Sequence, residues 1–471
     1  MPTHGLVRQQ PPLWSLPVSQ RPSLSVRSLL VSLPLTLAFI ALFDLGILAT
    51  FIFLVLAYPL YFLSRWTRRA YRQAGKRAFG RLLVVIVRWF SPTDFVLSAG
   101  HGIDEERWIE RDEDGKLVSL RLPDKALWIS NHTTLTDWIY LWILAYLSAG
   151  HSASLYISLK SSLRRIPIIG SAAHLFGFIF MARKWATDKE PFKRQLEEIA
   201  RENEGEGKQM ALLLFPEGTI VTENTRGISR RFADKTQVDD FKHLLLPRST
   251  GLYFALRQLA RTTPSLKLVD ITVGYPLPRS APSTDSTPLY ASDYYTLPSV
   301  LLSHVPPPEL HIHIRTFALS EIPLGKLDET ADDRNDEGTE AEKRVFEKWL
   351  QARWAEKDAL MERFRTEGTF VADNIAHRAN GRGKARPNRG TGIQRSDVSD
   401  DDDDDDDRQG EYRWPVSLRH PAWETFGAFQ FGWTLLVAWL VWTRRYDLMT
   451  GILSPLVSMT GQPSAGMKVD L

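Results

Sequence analysis

The sequence of 471 residues contains no cysteine. Without a thiol, the chain has no disulfide bond, no zinc–thiolate or iron–sulfur site and no cysteine acyl-enzyme intermediate. The G-x-S-x-G elbow, the Walker A loop and the dinucleotide-binding fingerprint are also absent from every position where a strand would turn into a helix. The sequence shows no internal repeats.

The net charge is small, at +3 from 58 basic and 55 acidic residues, but its distribution is uneven. An unbroken acidic run at residues 400–407 leaves the rest of the chain more basic than the total suggests, which favours an anionic partner. Many of the 15 tryptophans stand beside apolar runs and Arg or Lys. This pattern is more typical of a membrane–water interface than of nucleic-acid binding.

Residues 29–63 form a long apolar stretch with a single charge, Asp44. A membrane-spanning helix needs about 20 apolar residues, and no signal-peptide cleavage site follows the stretch. We therefore predict a retained membrane anchor after a short tail, residues 1–28. Asp44 leaves two arrangements open, one tilted span or a hairpin of two short helices.

Residues 64–125 are expected to be a basic, amphipathic, membrane-associated segment that leads into the next domain. Seven basic residues between Arg65 and Arg81 follow the anchor. By the positive-inside rule they predict that this domain faces the cytosol. Residues 82–90 are apolar and are expected to lie on the bilayer.

Two C-terminal segments follow the central part of the chain. Residues 378–412 are rich in Gly, Arg, Asn and Asp and cannot bury apolar surface, so we predict a disordered linker. Residues 413–471 are predicted to be membrane-associated. Their apolar run at 426–442 is short for a span, so it either crosses the membrane or lies in the interface.

Residues 126–377 alternate strand-like and helix-like patterns, which is typical of an α/β domain. Helical spacing follows Asp137, and a charged amphipathic helix is predicted at residues 191–203. Thr339 and Glu342 form a capping box ahead of a long helix. Short apolar runs predict strands at residues 126–130, 154–159, 178–181, 210–215, 268–275 and 310–317.

Candidate functional residues follow the predicted strands. His132 is suited to accept a proton near neutral pH, and Asp137, five residues later, can fix its tautomer. Taken alone, Asp137 is equally well explained as a helix cap. Glu217 occupies a tight turn after another strand, and Lys160 and Arg183 are cations able to hold a phosphate, although each is also compatible with a solvated surface role.

Four blocks resemble, in the same order, those of the glycerolipid acyltransferases that include 1-acylglycerol-3-phosphate acyltransferases. Finer matches resemble the eukaryotic branch that also contains lysophosphatidylinositol and lysocardiolipin acyltransferases, and the resemblance covers residues 126–370. One departure is Ile220, where many relatives carry an Arg that helps to hold the acceptor phosphate. The four blocks are NHTTLTD at 131–137, residues 160–183 with the central IPIIG, LFPEGT at 214–219 and VDITVGYP at 269–276; the finer matches are DW at 137–138, LLLPRSTG at 244–251 and the helix at 349–358.

The resemblance implies a fold, a reaction and a location. The fold is an α/β acyltransferase-type mixed sheet flanked by helices, with an N-terminal membrane anchor and a C-terminal apolar helix. The reaction moves an acyl group from acyl-CoA, as co-substrate, to the free hydroxyl of a lysophospholipid. The expected acceptor is 1-acylglycerol-3-phosphate, with lysophosphatidylinositol or a lysocardiolipin as the alternative. The expected location is the endoplasmic reticulum membrane, with the catalytic domain facing the cytosol.

The resemblance also implies a role for each site residue and requires neither a metal nor a cofactor. His132, oriented by Asp137, is the general base, and Glu217 holds acceptor hydroxyls. Arg183 and Lys160 bind the head-group phosphate, and backbone N–H groups near Gly218 and Thr219 stabilise the oxyanion. A rival interpretation is a catalytically silent, membrane-tethered lipid-binding or interaction protein. The intact His132, Asp137 and Glu217 count against it.

Overall fold

The computed structural model describes residues 11–22, 26–148, 150–278, 290–327, 337–372 and 410–429. Within these residues the chain forms ten strands and thirteen α-helices. The strands are β1 (Asp94–Ala99), β2 (Ile109–Arg111), β3 (Leu117–Leu120), β4 (Lys125–Ser130), β5 (Leu155–Lys160), β6 (Ile179–Met181), β7 (Met210–Leu214), β8 (Lys267–Gly274), β9 (Glu309–Ala318) and β10 (Glu411–Pro415). The helices are α1 (Val26–Leu56), α2 (Leu60–Leu63), α3 (Arg65–Phe90), α4 (Asp137–Leu147), α5 (His151–Ser154), α6 (Ile169–Leu175), α7 (Trp185–Glu202), α8 (Glu223–Thr236), α9 (Ser249–Thr262), α10 (Ala291–Tyr294), α11 (Leu297–Leu301), α12 (Glu340–Glu367) and α13 (Pro421–Ala428).

Eight strands form one mixed sheet in the order β10-β1-β9-β8-β4-β7-β5-β6, and β2 pairs with β3 separately. From β8 to β6 the neighbouring strands are parallel, so their carboxyl ends meet at one edge of the sheet. Strand β9 is antiparallel to β8, and β10 is antiparallel to β1. The predicted mixed α/β sheet is confirmed, and each of the six predicted strands is present.

Helices cover both faces of the sheet. Side chains of α3 and α4 fill the core on one face, and those of α7, α9 and α12 fill the core on the other. Every residue of β4 and β7 is buried. Burial on both faces explains why these strands are near-continuous apolar runs rather than alternating ones. The capping box of Thr339 and Glu342 at the start of α12 is confirmed.

Helix α1 passes through Asp44 without a break, so the predicted alternative of a hairpin split at Asp44 is wrong. The helix lies against α3, with Gly46 close to the Leu82 side chain. A Cβ at position 46 would stand 2.6 Å from that side chain, so a larger residue there would force Leu82 to move. Residues Ser32–Leu56, with mean hydropathy 2.6, are the one stretch of the described chain that is long and apolar enough to cross a membrane.

Residues 82–90 are not a membrane-seating segment, contrary to the prediction. They form the last turns of α3, and most of them are buried against the sheet. A continuous apolar run is compatible with either a protein core or a bilayer, and here the core covers it. Part of the basic cluster is also used inside the fold. Arg72 Nη1 donates to both carboxylate oxygens of Glu202 at 2.7 Å, and the buried Lys76 ammonium lies 3.4 Å from the centre of the Tyr156 ring.

The C-terminal part of the described chain belongs to the folded domain. Residues 411–412, predicted to end the linker, and residues 413–415, predicted to begin a membrane-associated segment, instead form β10 at the edge of the sheet. Helix α13 contacts α3, and its Glu424 accepts a hydrogen bond from the Tyr146 hydroxyl at 2.5 Å. The rest of the predicted linker and most of the apolar run at 426–442 lie outside the described residues.

Candidate active site

The carboxyl ends of β4, β7, β5 and β6 are neighbours at one edge of the sheet. His132 follows β4, Glu217 follows β7 and Arg183 follows β6, while Lys160 is the last residue of β5. The structure therefore brings all four predicted strand-end residues to the same edge. This is the edge at which parallel α/β sheets expose functional groups.

His132 and Asp137 form a hydrogen-bonded pair. The distance from Nδ1 of His132 to Oδ2 of Asp137 is 2.9 Å, and Asp137 has no exposed side-chain surface, whereas His132 is 17% exposed. The imidazole stacks on the Phe215 ring, with 4.2 Å between the ring centres. With Nδ1–H donated to the carboxylate, Nε2 carries the lone pair that can accept a proton.

Asp137 is not a helix cap. It is the first residue of α4, and Thr136 occupies the N-cap position without a side-chain capping bond. The Asp137 carboxylate instead accepts the N–H groups of Thr133 at 2.6 Å and Thr134 at 3.0 Å, and the Thr134 hydroxyl at 2.9 Å. These bonds hold the carboxylate within hydrogen-bonding distance of the imidazole, so the helix-cap interpretation of Asp137 is wrong.

Two residues of the matched blocks that had no predicted role complete this arrangement. Tyr275, just after β8, donates its hydroxyl to Oδ1 of Asp137 at 2.6 Å. Burial and the neighbouring Asp137 raise the pKa of Tyr275 well above its usual value, so the phenol remains a donor. Asn131 binds both the N–H and the C=O of Val273 through its side-chain amide, at 2.8 and 3.0 Å. These bonds join the turn after β4 to the end of β8.

Glu217 is buried, with 3% of its surface exposed, and neither carboxyl oxygen makes a hydrogen bond of regular geometry within the described chain. Burial raises the pKa of Glu217 to about 8. The Lys357 ammonium and the backbone N–H groups of Leu245 and His132 oppose this rise only in part. A buried carboxyl group without protein partners is costly and is a frequent mark of a ligand-binding position.

The turn after Glu217 has its own backbone requirements. Gly218 has φ +72°, a conformation that favours glycine, and its N–H donates to the Phe215 carbonyl at 2.9 Å. The Gly218 N–H is therefore used within the turn itself. The N–H groups of Thr219 and Ile220 have no partner in the described part of the chain, so they are the amides at this turn that can bind a developing negative charge.

Two arginines lie next to this turn. Arg183 has φ +65°, unusual for a residue with a side chain. Partial burial lowers the pKa of its guanidinium, and the nearby Arg248 lowers it further. The Arg248 side chain stands 3.6 Å from the place where a Cβ on Gly218 would lie. Neither guanidinium has a carboxylate partner among the described residues. Arg248, which the motif analysis placed only inside a matched block, is thus a second unpaired cation at this edge.

Comparison with known proteins agrees with this geometry. A family model described as Acyltransferase matches residues 118–275. An uncharacterized acyltransferase of Schizosaccharomyces pombe is 34% identical over 323 residues, which cover 69% of this chain and 83% of that protein. The chain belongs to the acyltransferase family. The 2-acyl-1-lysophosphatidylinositol acyltransferase of Saccharomyces cerevisiae is 34% identical over 327 residues, covering 63% of this chain and 76% of that protein. Lysocardiolipin acyltransferase 1 of Danio rerio is 33% identical over 242 residues, covering 51% and 53%.

The matched residues of this acyltransferase include all the strand ends described above and stop at Tyr275. Strand β9 and helix α12 lie beyond them. A cavity of about 730 Å³ lies elsewhere, beside the amino-terminal ends of β4 and β8, where Lys125 and Lys267 line it. None of the predicted site residues borders this cavity. The predicted site residues therefore lie at the carboxyl edge and not at that cavity.

Proposed function

We propose that this acyltransferase moves a fatty acyl group from acyl-CoA to the free hydroxyl of a lysophospholipid. The observation that carries the proposal is the His132–Asp137 pair, held by the 2.9 Å bond between Nδ1 and Oδ2 at the carboxyl edge of the sheet. The bond leaves Nε2 of His132 free to accept a proton. A general base in this position contributes about 10²- to 10⁴-fold to a rate.

The reaction balances without a covalent enzyme intermediate, a metal or a cofactor. Nε2 of His132 removes the proton of the lysophospholipid hydroxyl, and the oxygen attacks the thioester carbonyl carbon of acyl-CoA. The carbon–sulfur bond breaks, the CoA thiolate leaves, and the proton passes from His132 to the sulfur. Asp137 stabilises the imidazolium while it exists.

The neighbouring groups bind the reactants. The free N–H groups of Thr219 and Ile220 stabilise the oxyanion, and Glu217 binds acceptor hydroxyls with its unpaired oxygens. The head-group phosphate binds Arg183, with Lys160 at the neighbouring strand end. Arg183 carries more of this contact than it would if position 220 were also a cation.

Several lysophospholipids are candidate acceptors, and we place lysophosphatidylinositol first. The yeast relative that bears this lipid in its name is 34% identical over 76% of its length. The motifs alone suggested 1-acylglycerol-3-phosphate, which becomes the second candidate, and a lysocardiolipin is the third.

The decisive experiment assays membranes that contain the full chain with labelled oleoyl-CoA against a panel of lysolipids. Transfer to lysophosphatidylinositol by the wild type, with none by His132→Ala, supports the proposal. His101→Ala is the matched control, because His101 is exposed and pairs with Glu321 away from the site. Lipid binding by the wild type without transfer to any acceptor would instead support the catalytically silent lipid-binding protein.

We also propose that the protein resides in the endoplasmic reticulum membrane with its catalytic domain facing the cytosol. Helix α1 supplies the apolar length for an anchor, and acyl-CoA is available on the cytosolic side. Protease added to sealed microsomes should then cut within residues 378–409. Protection of this segment until detergent is added would contradict the orientation.

A further inference from the structure

Helix α12 lies beyond the residues that match the family model, yet three consecutive side chains near its middle contact the scaffold of the active site. Glu356 accepts a hydrogen bond from Arg315 of β9 at 2.7 Å. Lys357 contacts β8, and Asp358 contacts the loop of residues 241–248. The helix thus reaches β8, β9 and the loop that borders the Glu217 turn.

Lys357 has no exposed surface and pairs with a buried carboxylate. Its Nζ lies 2.5 Å from Oδ1 of Asp270 and 2.5 Å from the carbonyl oxygen of Ile271. Asp270 Oδ2 also accepts Arg315 Nη2 at 2.5 Å. Arg315 also pairs with Glu356, so the charges of this cluster balance, and Lys357 is the member of the cluster whose charge acts on Glu217.

Asp358 binds three successive backbone amides of the 241–248 loop. Its Oδ1 accepts the N–H groups of His243 at 2.7 Å and Leu244 at 3.1 Å, and its Oδ2 accepts that of Lys242 at 2.9 Å. The next residue, Leu245, is the one whose N–H approaches the Glu217 carboxyl group. At the end of the loop, Arg248 N–H donates to the Pro216 carbonyl at 2.8 Å.

We propose that Lys357 and Asp358 are positioning residues of the active site, through which α12 holds the Glu217 turn and Arg248 in place. Asp358 fixes the loop that borders the turn, and Lys357 supplies the positive charge that favours the ionised form of Glu217. Neither residue touches the reacting atoms. The kinetic test of this inference rests on the proposed function. The hydrogen-exchange and infrared tests do not depend on acyl transfer.

Both Glu217 and Lys357 face several charged groups. Glu217 faces Lys357 from α12 and Asp137 from α4, together with the N–H groups of Leu245 and His132. Lys357 faces Asp270 from β8 and Arg315 from β9, as well as Glu217. Of the charged side chains acting on Glu217, Lys357 lowers its pKa and Asp137 raises it.

The first test uses Asp358→Asn in the full chain, with Glu347→Gln on the exposed face of α12 as the matched control. Hydrogen exchange should accelerate at the amides of Lys242, His243 and Leu244, because an amide side chain is a weaker acceptor than a carboxylate. Exchange in the Thr339 capping turn should not change. Wild-type exchange in Asp358→Asn would overturn the role of Asp358.

The same variant, Asp358→Asn, is also assayed kinetically, with KM measured separately for the lysolipid and for acyl-CoA. A displaced Glu217 turn should lower kcat/KM for the lysolipid by about 10- to 100-fold, the cost expected of a small misplacement of binding groups. KM for acyl-CoA should change less, and Glu347→Gln should match the wild type. Equal changes for both substrates would indicate a purely structural role and would contradict the proposal.

The second test uses Lys357→Met, with Lys348→Met as the control on the exposed face of the same helix. Asp270 keeps its bond to Arg315 in this variant, so its charge is not left unpaired. Infrared spectroscopy can follow the carboxylic acid band that disappears in Glu217→Gln. Without the Lys357 charge, the pH at which this band is lost should rise by on the order of one unit. An unchanged titration would overturn the role of Lys357.

The outcomes separate the two proposals. If the wild type transfers no acyl group but the exchange and infrared changes occur, the proposed function fails and the positioning of the turn stands. If the wild type is active and both variants behave as their controls do, the positioning proposal fails and the proposed function stands. If Lys357→Met does not fold, the Asp358→Asn results decide the inference.

Discussion

Two turns at the carboxyl edge of the sheet each carry a buried carboxyl group. The two groups differ in how many hydrogen bonds they accept. Asp137 accepts hydrogen bonds from the imidazole of His132, from Thr133 and Thr134, and from the hydroxyl of Tyr275. Glu217 has comparable burial but no regular hydrogen bond from the described chain. The same kind of side chain is therefore fixed at one turn and unsatisfied at the other.

The difference indicates that the two carboxyl groups have different roles. A carboxylate whose oxygens are fully bonded is held in one position, which suits a group that orients a base. A buried carboxyl group without partners destabilises the fold unless it holds a proton, and it keeps its oxygens available for ligand hydroxyls. We infer that the first turn is built for proton transfer and the second for binding.

The largest loss of activity should come from variants of the His132–Asp137 pair. His132→Ala removes the base and should lower turnover by about 10²- to 10⁴-fold. Asp137→Asn should retain some activity, because the base remains and the two residues act as a unit. The measurement is kcat with labelled acyl-CoA at matched amounts of membrane-bound protein, with His101→Ala as control. Wild-type turnover in His132→Ala would mean that another group is the base.

This pair was the part of the site most readily predicted from sequence. His132, Asp137 and Glu217 lie within short motifs at strand ends, where local spacing carries the information. Tyr275 and Asn131 contribute through hydrogen bonds between residues 138 and 142 positions apart, and such contacts leave no local pattern. Lys357 is likewise part of the site only because α12 folds back over β8.

Prediction of the fold from sequence was limited in the same way, because contacts between distant residues leave no local pattern. The apolar parallel strands were predicted because burial on both faces gives continuous apolar runs. Strand β10 was missed because it is short, polar at alternate positions and paired with β1, more than 300 residues earlier. Residues 82–90 were assigned to the bilayer because an apolar run does not reveal which apolar environment covers it.

The buried Glu217 should make the free energy of unfolding depend on pH, and Glu217→Gln should remove this dependence. Burial raises the pKa of Glu217 from 4.5 to about 8, so between these values the folded chain holds a proton that the unfolded chain does not. The free energy of unfolding therefore falls as pH rises through this window. Glu217→Gln removes that fall and should be more stable than the wild type at pH values above about 8, by on the order of a few kcal/mol.

Thermal unfolding of the detergent-solubilised full chain at mildly acidic and mildly alkaline pH measures this difference. The advantage of Glu217→Gln should be present at alkaline pH and should vanish toward pH values near 4.5, the ordinary pKa of the carboxyl group. Glu347→Gln, on the exposed face of α12, is the control and should show no such dependence. A constant or reversed difference would mean that Glu217 is ionised and stabilised in the folded protein.

A smaller effect should separate acceptor binding from proton transfer. Arg183→Ala and Arg248→Ala should each raise KM for the lysolipid by about 10-fold, the low end for a lost charge-assisted phosphate contact, because both side chains are exposed. KM for acyl-CoA should change less. Arg183→Lys should be intermediate, since lysine keeps the charge but loses the two-pronged geometry. Arg231→Ala, an exposed cation on α8, is the control, and equal rises for both substrates would leave the phosphate site unassigned.

The smallest effect should come from Tyr275→Phe, which changes the fixed turn without removing any reacting group. The variant loses the 2.6 Å bond to Oδ1 of Asp137, but the bonds from Thr133, Thr134 and His132 remain. Four of the five donors therefore still hold the carboxylate, so kcat should fall only about 2- to 5-fold, with little change in either KM. A loss as large as that of Asp137→Asn would show that the phenol does more than hold the carboxylate. No loss at all would show that the remaining bonds already fix Asp137, which would sharpen the contrast with Glu217.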